Sequence, residues 1–400
     1  MKKHIELIYL LLIILCAPMY AQDNDGTEIK VYDKDVMTHQ LFVDSIVISE
    51  TNSPIIENRN VAVLKSILNE TTNLSKTCLF INGIECPLPM PERDNEFTPT
   101  YMASSNGNLY VLGERDYVSG GIGRKEFVIW KNAQILYTVS NDSYERPDAV
   151  GLCVDGDNVF IYGITMYASG YAYLPDEFFY FKNDNFTEKL SPDLSWWSGC
   201  VCFSASEGKP YLVYQKSENT SYQSTGRSFG TSGKIMTLWS NGTYQNLQDA
   251  DRSKHIYPME IKFHNGTPHV VGYEQIAVTE DESPTKQIDA AVYYDGNTTK
   301  ELKDYLQAEK IAFNDKGETF ILCRPKNSGS SSSYNMPVLK NGEEVFQINA
   351  GEHQWLHDNG GLMADFFFDQ DDVYLLAGSK IWKNGELFWS GEGLVSIVVY

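Results

Sequence analysis

The chain has 400 residues, with 32 basic and 53 acidic side chains and a formal net charge of −21. Such a balance repels phosphate backbones and anionic lipid surfaces, so neither nucleic acid nor a membrane surface is expected as a partner. Aromatic residues make up 13 %, including 25 Tyr and 19 Phe; most fall in short alternating runs of the kind strands require. With no long helical periodicity past the first twenty residues, this predicts an all-β chain.

In chain order, the first element reads as a secretory signal. Met1-Lys2-Lys3 is a basic start, Leu7 to Leu15 is an apolar run, and Met19-Tyr20-Ala21 places a small residue before a cut at Gln22. The run is shorter than the roughly twenty apolar residues that span a bilayer, and no later stretch is longer. A secreted or periplasmic location for the mature chain is therefore expected, without membrane insertion. Cys16 also offers a lipoprotein site, but bulky Leu15 stands where that chemistry wants a small residue. Cleavage after residue 21 leaves 30 basic and 52 acidic residues. Residues 22–59 form an extension with strand-like "EIKVYD" and "LFVDSIVISE" and no assigned place.

From Asn60 onward one pattern recurs seven times: a short apolar strand, a turn centred on Asn or Asp, and a second short strand. The copies start at Cys78, Val128, Phe179, Thr237, Val292, Val338 and Ile381, at intervals of 43 to 58 residues. Asn-Gly and Asp-Gly tolerate the positive φ that tight hairpins demand. A second hairpin precedes each of the last six copies. It turns at Asn106-Gly107, Asp155-Gly156, Glu207-Gly208, Asn265-Gly266, Lys316-Gly317 or Gln370-Asp371, and an apolar strand follows, as in "NLYVLG" and "DVYLLAG". Each unit is thus a meander of four strands, A to D. The first unit, beginning with "NVAVLKSI", lacks strand A, and the last residues, "GLVSIVVY", supply one. The C-terminal strand is expected to complete the first unit and remove two open edges.

These repeats resemble those of β-propellers, loosely the Kelch, NHL and WD types, over residues 60–400. There is no Trp-Asp pair, no Gly-Gly at unit starts and no Asp-box, so no family within the superfold is assigned. The resemblance implies a seven-bladed β-propeller of four-stranded blades, closed by the C-terminal strand joining the first blade.

In such a meander the A–B and C–D turns share one face, and the B–C connections and D-to-A crossovers share the other. The first set is short. The second is a set of long, irregular loops, as in "GERDYVSGGIGRKE" from Gly113, "GITMYASGYAYLPDE" from Gly163 and "YQKSENTSYQSTGRSFGTSGK" from Tyr214. Tyr117, Tyr167, Tyr171, Tyr173 and Tyr222 lie in B–C connections among Gly and Ser, and Trp196, Trp197, Tyr257 and Trp355 in crossovers. Tyr with Ser and Gly makes an adaptable recognition surface, and flat rings beside Asp, Asn and Arg suit sugars. The competing role for each ring is a wedge between blades. The expected function is non-enzymatic binding of a glycan or an extracellular protein on this face. The alternatives are a glycan-active hydrolase or lyase using Arg146, Asp148, Arg252, His255, Tyr257 and His357 near the axis, and an assembly scaffold.

No nucleophile elbow, phosphate loop or nucleotide fingerprint is present, and no cofactor or metal is expected. His353 and His357 in "HQWLH" lack the following Glu and a third ligand, and "DADRSK" from Asp249 lacks the Gly and Glu of a calcium loop. Cys153, Cys202 and Cys323 fall on apolar strands as small core residues. Cys78 and Cys86 flank one hairpin. A two-residue Asn82-Gly83 turn sets Ile81 opposite Ile84 and turns the two thiols to opposite sides; a three-residue turn would oppose them. The Asn-Gly pair favours the former.

Overall fold

The computed structural model describes residues 59–69, 74–91, 97–119, 122–140, 147–169, 172–190, 201–217, 234–247, 254–278, 286–326, 335–349, 364–377, 380–391 and 394–400. The signal and nearly all of the extension lie outside them. All regular structure among these residues is β-strand.

Seven blades follow the chain. Blade 1 holds β1 (Val61–Asn69), β2 (Leu74–Ile81) and β3 (Ile84–Glu85). Blade 2 is β4 (Thr98–Ser105), β5 (Asn108–Ser119), β6 (Ile122–Lys131) and β7 (Gln134–Ser140). Blade 3 is β8 (Pro147–Asp155), β9 (Asn158–Ser169), β10 (Ala172–Lys182) and β11 (Asn185–Leu190). Blade 4 is β12 (Val201–Ser206), β13 (Lys209–Ser217), β14 (Lys234–Ser240) and β15 (Thr243–Asn246). Blade 5 is β16 (Lys254–His264), β17 (Thr267–Val278), β18 (Lys286–Tyr294) and β19 (Thr299–Leu302). Blade 6 is β20 (Tyr305–Phe313), β21 (Thr319–Pro325), β22 (Asn335–Lys340) and β23 (Glu343–Asn349). Blade 7 is β24 (Ala364–Asp369), β25 (Asp372–Ala377), β26 (Lys380–Lys383) and β27 (Glu386–Ser390). The last strand, β28 (Leu394–Val399), pairs antiparallel with β1, Val61 opposite Val399, and becomes the innermost strand of blade 1. Asn60 and Tyr400 exchange two backbone hydrogen bonds of 3.0 Å at the end of this ladder.

Closure is visible in the packing. The buried side chains fall into seven clusters, one between each pair of neighbouring blades. The cluster that joins blade 7 to blade 1 packs Tyr374, Leu376 and Ile381 against Val61, Val63, Phe80 and Ile397. Successive strand residues point to opposite faces, so each blade feeds both of its neighbours: Tyr110 and Leu112 face blade 3 while Leu109 and Val111 face blade 1. An unbroken apolar run such as "LYVL" is what a strand covered on both faces requires.

The turns explain the repeated asparagines. Asn82-Gly83, Asn341-Gly342 and Asn384-Gly385 all hold positive φ at both positions, which is the twist a two-residue hairpin needs. In five blades the turn asparagine does more. Its side-chain oxygen accepts a hydrogen bond from a backbone N–H at the start of strand B, at 2.9–3.0 Å: Asn82 from Val61, Asn132 from Leu109, Asn183 from Val159, Asn341 from Thr319 and Asn384 from Val373. The asparagine's own N–H donates to the carbonyl of that same residue. In four of these blades the preceding lysine lies over the next aromatic of strand B: Lys131 over Tyr110, Lys182 over Phe160, Lys340 over Phe320 and Lys383 over Tyr374.

Strand A bulges in blades 2, 3, 5 and 6, at Thr100, Val150, Met259 and Glu309, where two of its residues oppose one of strand B. Small residues stand opposite. At Gly113 a Cβ would lie 2.4 Å from the ring of Trp130.

The first hairpin has the two-residue turn, with Ile81 opposite Ile84 and Cys86 N–H donating to Leu79 O at 2.8 Å. Cys86 packs with Leu79 against blade 2, and Cys78 packs with Phe80 against blade 7, so the two thiols lie on opposite faces. Strand β3 stops early because Pro87, Pro89 and Pro91 cannot donate to a ladder. The carbonyl of Pro89 instead accepts the indole N–H of Trp130 at 2.7 Å.

Candidate functional site

The two faces of the ring differ in their connections. Most A–B and C–D turns are two-residue hairpins; longer ones join β18 to β19 over 295–298 and β20 to β21 over 314–318. On the opposite face the long B–C connections of blades 2 and 3 are β-ribbons instead of the irregular loops expected. The β5–β6 ladder runs out to Ser119 opposite Ile122, and β9–β10 to Ser169 opposite Ala172. The β17–β18 pairing continues to Val278 opposite Lys286. The alternation that looked like loop composition is a two-stranded ribbon in which every second side chain shares a face.

Tyr117 therefore stands on strand β5, opposite Arg124 and half-buried. The guanidinium of Arg115 lies 4.9 Å from the Phe97 ring centroid and 5.8 Å from that of Tyr117, and it pairs with Glu126 across the ribbon. Lys125 donates to Glu114 at 2.9 Å, and Glu114 also accepts from Thr100 at 3.2 Å. The base of the ribbon thus carries opposite charges paired across its two strands. Tyr257 lies on strand A of blade 5 and not in a crossover. It stacks on its cross-strand neighbour Tyr273, centroids 4.7 Å apart and planes 9° from parallel, and donates to Gln275 at 3.3 Å. Tyr167 and Tyr173 belong to the β9–β10 ribbon by backbone, facing Leu174 and Ala168. Tyr171, Trp196, Trp197, Tyr222 and Trp355 lie outside the described residues, as do Arg146, Arg252, His353 and His357. Asp148 and His255 are strand residues by backbone.

A second feature lies on the axis. An open cavity of about 330 Å³ is lined chiefly by the innermost strands of blades 1, 2, 3, 5 and 7. Ala103, Cys153, Lys262, Phe367 and Val398 form one layer of it, each opposite the same position of its B strand. The wall from blades 1 to 3 is neutral. On the other side Lys262 stands 3.6 Å from Glu260 and 4.0 Å from Asp365, and Lys310 stands 3.7 Å from Glu260. Glu260 is fixed by accepting the Ile311 N–H at 2.7 Å. Asp365 and then Glu260 hold the Lys262 ammonium well above the usual lysine value, while burial pushes the Cys153 thiol up to about 11 and keeps it protonated at neutral pH. Among the described residues no group of three metal-ligating side chains occurs.

Sequence reasoning missed this charged arc and the buried carboxyl of Glu309. Lys262 and Asp365 are 103 positions apart, and no motif joins them; aligned on Asp155-Gly156 and Asn265-Gly266, Lys262 falls level with Leu152, and only the observed turn at Gly156-Asp157 brings it level with Cys153. Glu309 is 1 % exposed with neither carboxyl oxygen hydrogen-bonded. Its bulge turns it into the blade, and burial raises its pKa against the pull of Arg324 and Lys310.

No protein-family model and no curated protein matches the chain. Among solved structures it is similar to the β-propeller domain of the Trilobed protease from Pyrococcus furiosus, at 10 % identity and a TM-score of 0.39, covering 72 % of this chain and 84 % of that one. It is also similar to a mannose phosphorylase from Leishmania mexicana, at 8 % identity and a TM-score of 0.29, covering 58 % and 79 %. A Pyrococcus horikoshii acylaminoacyl peptidase matches at 12 % identity and a TM-score of 0.36, covering 81 % of this chain and 56 % of that one. At such scores these likenesses carry nothing about activity.

Proposed function

We propose that the chain is an extracytoplasmic binding propeller, secreted or periplasmic, that engages a glycan or an extracellular protein on the face bearing the extended ribbons. The observation that supports this is the asymmetry of the two faces. One is built largely of two-residue turns, whereas the other extends strands beyond the blades in ribbons that carry Tyr117, Tyr167 and Tyr173. Recognition surfaces are placed in this way on rigid scaffolds, and Tyr supplies large contact area at small entropic cost.

The test is a glycan array together with a pull-down from the extracellular fraction, with mass spectrometry of any glycan recovered. Replacing Tyr117, Tyr167 and Tyr173 together with Ala is expected to weaken binding at least tenfold while leaving the melting temperature within a few degrees. Shortened or unsaturated sugars would replace this reading with a glycan-active enzyme. A sharp loss of melting temperature with unchanged binding per folded molecule would make the rings structural.

A further inference from the structure

We infer that the axial cavity is a ligand site in its own right, for a neutral polyhydroxylated molecule of monosaccharide size held between Lys262 and Asp365. At about 330 Å³ it has room for roughly ten waters at ~30 Å³ each, and it falls within the range of small-ligand pockets. Its lining residues lie near the A–B turn ends of the innermost strands, such as Ser104, Val154 and Phe367. That is the opposite end of the axis from the ribbons, so the site does not depend on the ribbon face being a recognition surface.

The charged arc defines the chemistry. The ion-pair distances of 3.6, 3.7 and 4.0 Å exceed the ~2.7–3.2 Å of hydrogen bonds. Lys262 thus keeps ammonium donors for a ligand. Side-chain exposures of 41 % for Lys262 and 55 % for Asp365 leave both open. The arc of Lys262, Lys310, Glu260 and Asp365 is neutral in sum. Of this arc only Lys262 and Asp365 line the cavity, one ammonium and one carboxylate, so a simple anion or a simple cation would meet a like charge beside its partner; a hydroxyl both donates and accepts, and a vicinal pair can bridge Lys262 to Asp365. Met102, Leu152 and Phe367 supply the apolar surface on which the C–H face of a sugar ring packs, and Phe367 is held in place by stacking on Tyr374, centroids 4.8 Å apart.

The experiment titrates the mature chain calorimetrically with glucose, galactose, mannose, N-acetylglucosamine and inositol, and with free amino acids as zwitterionic competitors. At least one of the polyols is expected to bind, and Lys262→Met, Asp365→Asn and the cavity-filling Ala103→Phe are each expected to weaken it at least tenfold. A second readout needs no variant: the bound polyol should slow modification of the Cys153 thiol by a small methanethiosulfonate reagent, followed by peptide mapping. Absence of binding by every polyol at tens of millimolar overturns the proposal, as does an amino acid binding there instead. Polyol binding kept in Lys262→Met and lost in Tyr117→Ala also overturns it, by moving the sugar to the ribbon face and leaving that reading intact.

Discussion

Five blades fasten strand B with the asparagine of the outer turn; blades 4 and 5, side by side, do not. Both lack the donor on strand B. In blade 4 the strand position that would donate is Pro210, and in blade 5 it is Pro268, and proline has no N–H. Asn241 keeps its left-handed turn with φ 46° but has no donor opposite. Ser240 instead donates its hydroxyl to the Pro210 carbonyl at 3.0 Å. Blade 5 replaces the asparagine turn by Asp295, which accepts the N–H groups of Asn297 and Thr298 and pairs with Lys300 at 2.5 Å; Lys300 and these backbone bonds bring its carboxyl down to about 2. The two unclamped blades are tied to each other. Lys234 bridges in parallel to His255 and merges them into one eight-stranded sheet. Buried Gln215 donates to Ile256 O and Thr299 to Leu247 O, both at 2.9 Å. A residue type repeated at the same place in every unit can therefore serve one purpose throughout and a second purpose in some units alone.

If the clamps only trim a closed ring, opening the ring has to matter far more. Deleting Leu394 to Tyr400 removes the innermost strand of blade 1 and its share of two interfaces. At about 25 cal/mol per Å² of apolar surface the loss is several kcal/mol, comparable with a typical net stability of about 5–15 kcal/mol. Aggregation or a non-cooperative melt is expected in calorimetry. A truncated chain that melts like its parent would mean that the ring holds without this strand.

The comparison itself is measured by paired glycine substitutions. Glycine accepts the left-handed turn, so Asn132→Gly removes the clamp without turn strain, and Asn241→Gly removes nothing but the side chain. The entropic cost of glycine, about 0.5–1 kcal/mol, is common to both. Asn132 also donates to Asn108 at 2.8 Å, an exposed bond, so Asn132→Gly should cost about 1–2 kcal/mol more than Asn241→Gly in urea denaturation, the worth of the clamp and this second hydrogen bond. Equal costs would show that the clamp contributes nothing.

Glu309 tests the bulge that blade 5 fills with Met259. Its folded pKa lies above the unfolded value, so the native state holds the extra proton. Stability from this site is complete below the ordinary carboxylate range and is lost as pH rises through the raised pKa. Glu309→Met, which copies blade 5, should gain stability relative to the parent as pH rises above the ordinary carboxylate range. A difference between the two proteins that does not change with pH would mean that Glu309 titrates as if exposed.

The turns, the blade count and the closing strand were legible because they are local chemistry repeated. An Asn-Gly pair states its φ, and "GLVSIVVY" without a partner states a missing ladder. The clamp was not legible, since the asparagine in a turn and the N–H it meets are 21 to 24 positions apart in blades 1, 2, 3 and 6, and what sets Pro210 apart appears only in the paired register. The ribbons read as loops because their Gly and Ser look like loop composition, although the pairing runs out to Ser119 opposite Ile122 and Ser169 opposite Ala172. The axial arc was hidden for a different reason: Lys262 and Asp365 come from blades 5 and 7 and meet 4.0 Å apart on the inner side of the ring, where periodicity says nothing.

The closing strand also imposes an order on time. Val61 and Val399 pair although more than three hundred residues separate them. A ribosome adding about 5–20 residues per second makes the first of these many seconds before the last. Through that interval blade 1 lacks its inner strand, and blade 7 lacks a finished neighbour. Until its last strand has been made, the nascent chain can stack blades but cannot become a ring, so the contact between blades 7 and 1 is completed last.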